Sequence, residues 1–106
     1  MKKMFSETLI AEVVRRIVAS VQPEKIVLFG SAARGEARAG SDLDFLVIKR
    51  CSQRRELAGE IYKHLVGVGI PVDVVVVTPD DIKRYGASPA MVIEPALREG
   101  RVVYAA

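Results

Sequence analysis

A chain of 106 residues has enough material for one hydrophobic core, and the expectation is a single domain without room for a second, substrate-binding one of ordinary size. Half the residues are hydrophobic, which excludes disorder, and the apolar runs are short and broken by charge, which excludes a transmembrane span. A net charge of +3 permits a nucleotide or RNA ligand without requiring either, while one cysteine (Cys51) and one histidine (His64) exclude an internal disulfide and a Cys/His zinc site.

The opening MKKMFSETLIAEVVRR puts Glu7, Glu12, Arg15 and Arg16 where a signal peptide needs an apolar run, so a cytoplasmic location is expected. Ile10, Val13, Val14, Ile17, Val18 and Val21 recur at helical spacing, predicting an amphipathic helix over about 6–21 with Ser6 as N-cap. Lys25 to Phe29, KIVLF, reads as a strand bounded by Pro23 and Gly30. Gly30 has no Cβ, so the backbone there can turn sharply or admit a ligand, and a short helix over roughly 32–38 follows with Ser31 at its start. Free amides, a hydroxyl and the positive end of the peptide dipoles make that bend suited to a phosphate, with Arg34 one turn away to add full charge.

Ser41 to Ile48, SDLDFLVI, alternates so that Asp42, Asp44, Leu46 and Ile48 share one face of a strand. Two residues at i and i+2 have Cα atoms ~6.6 Å apart, close enough for both carboxylates to converge on one hard cation or a pair of them. Aspartate is a poor strand former, and two on one face ask for a positive partner, which magnesium supplies together with the phosphate oxygens of a substrate. Ser41 reads as a turn residue whose hydroxyl can also touch phosphate.

Ser52 can cap a helix running to about Val66, with Leu57, Ile61 and Leu65 buried and His64 half-exposed. Arg54 and Arg55 in its first turn oppose the helix dipole, so their placement asks for an acidic partner or plain solvation. Gly67 and Gly69 close the helix and lead into a strand over 70–77. This run is so apolar that both of its faces are expected to be covered, yet it carries Asp73 near its start. A buried acid needs a donor or a cation. If the two strands are neighbours, Asp42, Asp44 and Asp73 form one acidic cluster opposite the Gly30-Ser31 bend, the arrangement of a two-metal phosphoryl-transfer site. Thr78-Pro79-Asp80-Asp81 is a strong helix start and Gly86 its end; Ser88-Pro89 can open another helix, interrupted at Pro95. Arg101 to Tyr104 reads as a last, edge strand.

Gly30-Ser31, ten intervening residues, Asp42-x-Asp44 and a distal Asp73 in a strand resemble the signature of the DNA polymerase β-like nucleotidyltransferase superfamily. The wording GSAARGEARAGSDLDFLV, the short length and the closing REGRVVY resemble its minimal nucleotidyltransferase branch, prokaryotic proteins often paired with a HEPN-domain toxin. The resemblance spans almost the whole chain, with one departure: Ala32 stands where the branch often has a basic side chain. It implies an α/β fold with a small mixed sheet of about four strands and helices mainly on one face. It also implies a magnesium-dependent enzyme that moves AMP from ATP to a hydroxyl of a partner macromolecule, and suggests a HEPN toxin as that partner, with this chain as the antitoxin. Asp42 and Asp44 would then hold both metals, and Asp73 would complete the site for the catalytic metal and act as, or orient, the base for the acceptor hydroxyl. Gly30, Ser31, Arg34 and Ser41 would meet the nucleotide. Two rivals stay open: an antitoxin that neutralises by binding alone, and a transferase acting on RNA ends or an antibiotic hydroxyl.

Overall fold

The computed structural model describes residues 6–36, 42–86 and 92–106. Helix α1 (Glu7–Val21) begins at Ser6, whose side chain accepts from the Leu9 amide at 3.0 Å, and buries Ile10, Val13, Val14 and Ile17 along one stripe. The hydrophobic spacing thus produces the expected helix, and the serine satisfies one of its orphan amides. Strand β1 (Lys25–Phe29) follows, then a single turn of helix, α2 (Gly30–Ala33), and strand β2 (Leu43–Ile48). Helix α3 (Arg54–His64), strand β3 (Val72–Val77), helix α4 (Pro79–Tyr85), helix α5 (Ile93–Glu99) and strand β4 (Arg101–Ala105) complete the order.

The four strands form one mixed sheet in the order β3-β2-β1-β4. β1 runs antiparallel to both β2 and β4, whereas β2 and β3 are parallel, joined by α3 as a crossover. Alternation along the strands splits the interior into two. Ile26, Leu28, Leu43, Phe45 and Val47 pack with Ile10, Val13, Val14 and Ile17 of α1 and Ile61 of α3. On the opposite side Val27, Leu46, Ile48 and Val77 pack with Ile93 and Ala96 of α5. The two long helices therefore share one face, and short α5 covers the other.

Three expectations are corrected. The helix after β1 starts at Gly30 rather than Ala32 and caps at Arg34, so Ser31 lies inside its first turn instead of capping it. The reason is Gly30 itself, whose φ of 75° turns the chain directly out of the strand. α3 is preceded by Gln53, not Ser52, and that residue's side chain does not cap a backbone amide of the helix. β3 is an edge strand, so Asp73 is exposed rather than buried, and the covering of both faces is only partial. A helix begins just before Pro95: α5 starts at Ile93, which puts the proline in the first turn, where no intrahelical donor is needed. Ser41, Arg38 and the Ser88-Pro89 pair lie outside the described residues.

Candidate active site

Asp44 and Asp73 are register partners across the parallel β2–β3 pair, so the alternation that points Asp44 toward the α5 side of the sheet points Asp73 the same way. Asp42 stands two residues before Asp44, and its carboxyl is in hydrogen-bonding contact with that of Asp73. Three acids from two strands thus meet at one end of the sheet. Their charges oppose one another. Asp44 binds its proton more tightly than an ordinary aspartate, first because it is partly desolvated and then because Asp73 and Asp42 repel its charge, with Arg34 pulling the other way. Asp73 is shifted in the same direction, chiefly by its hydrogen bond with Asp42, then by desolvation and by the Asp42 charge.

Phe29 is the register partner of Asp44 on the other side, so the chain reverses at Gly30 directly beside that carboxylate. A Cβ built on Gly30 would overlap Asp44 Oδ2. The positive φ favours glycine here, and a side chain at this position would push the Asp44 carboxylate aside. Arg34 closes α2, with its Nε donating to Glu36 Oε2 at 3.2 Å and its Nη1 to Glu99 Oε2 at 3.4 Å. The structure therefore brings Gly30, Ser31, Arg34, Asp42, Asp44 and Asp73 to one end of the sheet.

The donor set suits a hard divalent ion. It is all oxygen, and the raised proton affinities of Asp44 and Asp73 record more negative charge than the cluster can neutralise alone. Among the described residues no three acidic, histidine or cysteine side chains stand as a ready-made ligand group. The carboxylates fit magnesium in kind.

A profile of the nucleotidyltransferase domain matches residues 9–103. The chain belongs to that family. No curated protein is recognisably similar to this nucleotidyltransferase in sequence. Among solved structures, a protein described as a minimal nucleotidyltransferase is 29% identical over 94% of this chain and 98% of its own, with a TM-score of 0.63. A Sulfolobus solfataricus nucleotidyltransferase has the same fold at 20% identity, covering 92% of this chain and 78% of that one with a TM-score of 0.63. So does a toxin–antitoxin protein crystallised with AMP-PNP, at 21% identity, 96% and 75% coverage, and a TM-score of 0.61. The mixed four-stranded sheet and the minimal nucleotidyltransferase resemblance expected from the sequence are both borne out.

Several partners of this nucleotidyltransferase site were not legible in the sequence. Glu99 reaches Arg34 from 65 residues away, and no local pattern announces it. The hydroxyl of Tyr62, on α3, accepts from the amide of Val74, the residue after Asp73, at 2.8 Å. Arg54 has its acidic partner, donating to both oxygens of Asp81 at 2.8 and 2.7 Å. That pair lies where β2 and β3 end, away from the acids at their starts. His64 is exposed, with Nδ1 3.0 Å from the Glu60 carbonyl, a helix-surface contact.

Proposed function

We propose that the chain transfers a nucleoside monophosphate, AMP from ATP, to a hydroxyl of a partner protein, the bond between the α and β phosphates breaking as pyrophosphate leaves, and that the partner is the toxin of a toxin–antitoxin pair, of the HEPN type. The observation that carries this reading is the cross-strand meeting of Asp44 and Asp73, with Asp42 against Asp73 and Gly30 packed on Asp44. Magnesium bound by these acids would supply charge neutralisation for the triphosphate and acidify the acceptor hydroxyl. Asp42 and Asp44 hold the ion. Asp73, exposed on an edge strand, is the acid an acceptor from solution can approach, so it receives or orients the hydroxyl proton. Gly30 lets the β and γ phosphates approach the backbone, where the Ser31 hydroxyl meets them, and Arg34 adds charge; Ser41 belongs to the same proposal. The toxin–antitoxin neighbour bound to AMP-PNP supports both the adenine nucleotide and the toxin partner.

Incubating the protein with ATP labelled on the α-phosphate, Mg²⁺ and the product of the adjacent reading frame tests the proposal. Label should move to the partner with the wild type and not with Asp44→Asn. A second reading, neutralisation by binding alone, is favoured by one feature: an apolar groove of about 630 Å³ between α1 and β4, lined by Ile10, Val14, Val18, Val103 and Tyr104. It lies on the sheet face opposite to the acids. If that reading holds, Asp44→Asn neutralises the toxin as well as the wild type does.

A further inference from the structure

Arg34 caps the one-turn helix that begins at Gly30, its amide donating to the Gly30 carbonyl at 3.2 Å, and Gly30 packs directly on the Asp44 carboxylate, so the guanidinium is based one turn from that acid. An arginine beside an aspartate normally forks onto it, since two parallel N–H···O bonds to a carboxylate are among the strongest polar contacts a side chain makes. Arg34 does not. Its Nε is taken by Glu36 and its Nη1 by Glu99, and among the described residues Nη2 has no partner.

Glu99 is well anchored for this task. Its other oxygen, Oε1, is ion-paired with Arg98 Nη1 at 3.3 Å, and Arg98 Nε donates to Glu94 Oε1 at 2.7 Å, so the carboxylate sits in a chain of alternating charges along α5. The helix end is pinned by Gly100, where a Cβ would collide with the Ala96 carbonyl, Val27 Cγ1 and the Leu28 carbonyl. Leu28 is two residues before Gly30. The backbone that carries Glu99 is thereby fixed against the strand that ends at the acid cluster. All these ion pairs are exposed, with Arg34 at 42% and Glu99 at 36%, so they add little to stability. Their consequence is geometric.

We propose that Glu99 is a positioning residue: it holds Arg34 off Asp44, keeping the acid's oxygens open to a divalent ion and the free Nη2 of Arg34 turned to the phosphate that accompanies it. The inference rests on the nucleotidyltransferase reading and adds that the last helix sets the metal affinity of the site. Without the Glu99 charge, Glu36 still holds Nε but Nη1 is released, and the freed edge of the Arg34 guanidinium turns to Asp44 and competes with the metal.

The test is the Mg²⁺ concentration that gives half of the metal-induced thermal stabilisation, read without nucleotide or partner. Glu99→Gln keeps the side chain's size and removes its charge; it should raise that concentration about 3- to 10-fold while leaving the melting temperature in chelator within ~2 °C of the wild type. Arg34→Ala should not raise it, and in the Arg34→Ala background Glu99→Gln should have no further effect. With Mg²⁺ saturating, Arg34→Ala should weaken AMP-PNP binding. A Glu99→Gln value equal to the wild type's, or an equal rise with and without Arg34, overturns the proposal. If the wild type shows no Mg²⁺ stabilisation that Asp44→Asn removes, the nucleotidyltransferase reading itself has failed, and this inference falls with it.

Discussion

Gly30 packs so closely on the Asp44 carboxylate that the smallest side chain at that position would overlap Oδ2, and its backbone lies in the left-handed region at φ 75°. Gly30→Ala therefore meets strain from two sources. The left-handed conformation alone costs about 1–2 kcal/mol, and the overlap pushes Asp44 aside as well. Denaturant unfolding should show a loss of ~2 kcal/mol or more. Thermal stabilisation by Mg²⁺ should fall together with it.

Three carboxylates gathered at one end of a sheet repel one another, as the raised proton affinities of Asp44 and Asp73 attest. Asp44→Asn removes one of these charges without changing the shape. In chelator at neutral pH the variant should be more stable by about 1 kcal/mol, the scale of a like-charge cross-strand pair, or ~4–8 °C in melting temperature. Added Mg²⁺ should close or reverse that gap, because only the wild type gains from it. A variant no more stable than the wild type in chelator would show that the acids are not in conflict.

Asp81 joins the starts of α3 and α4. Its carboxylate accepts both Arg54 bonds and the Thr78 amide at 2.9 Å, and its own amide donates to Thr78 Oγ1 at 3.1 Å, completing the capping box. With only 13% of its side chain exposed, Asp81 is held down to a pKa of about 2, mainly by Arg54 and then by the Thr78 bonds. Because the folded value is below the unfolded one, this stabilisation is present above about pH 4. It is lost as pH falls toward 2. Acid titration of unfolding should show a slope in that window which Arg54→Ala reduces, whereas a slope unchanged in Arg54→Ala would remove the pair from the account.

The Tyr62 hydroxyl covers the Val74 amide on the outer edge of β3, where an unpaired donor would otherwise invite another strand. Tyr62→Phe deletes one hydrogen bond at a 42% exposed side chain, so the cost should be ~0.5–1.5 kcal/mol, at the lower end because water can replace the hydroxyl. Hydrogen exchange at the Val74 amide should quicken more than at the other β3 amides. Equal rates in both proteins would mean the bond is not formed in solution.

Much of this protein is determined locally. The spacing of Ile10, Val13, Val14 and Ile17 specifies α1, Ser6 and Thr78 specify two helix starts, and the period of two in β2 sets Asp42 and Asp44 on one face. Gly30 after an apolar run marks the bend because a positive φ favours glycine. These are properties of neighbours within a few positions, so the chain alone carries them.

Tertiary structure decided the rest. Nothing near Asp73 in sequence says that β3 lies parallel to β2 in the register that sets it beside Asp44, nor that β3 is an edge, which leaves that acid open to solvent. The partnership of Arg34 with Glu99 likewise exists only once α5 has packed on β1. Register and edge position follow from which apolar surfaces can be buried together, a choice made by the whole core at once and not by any one segment's periodicity.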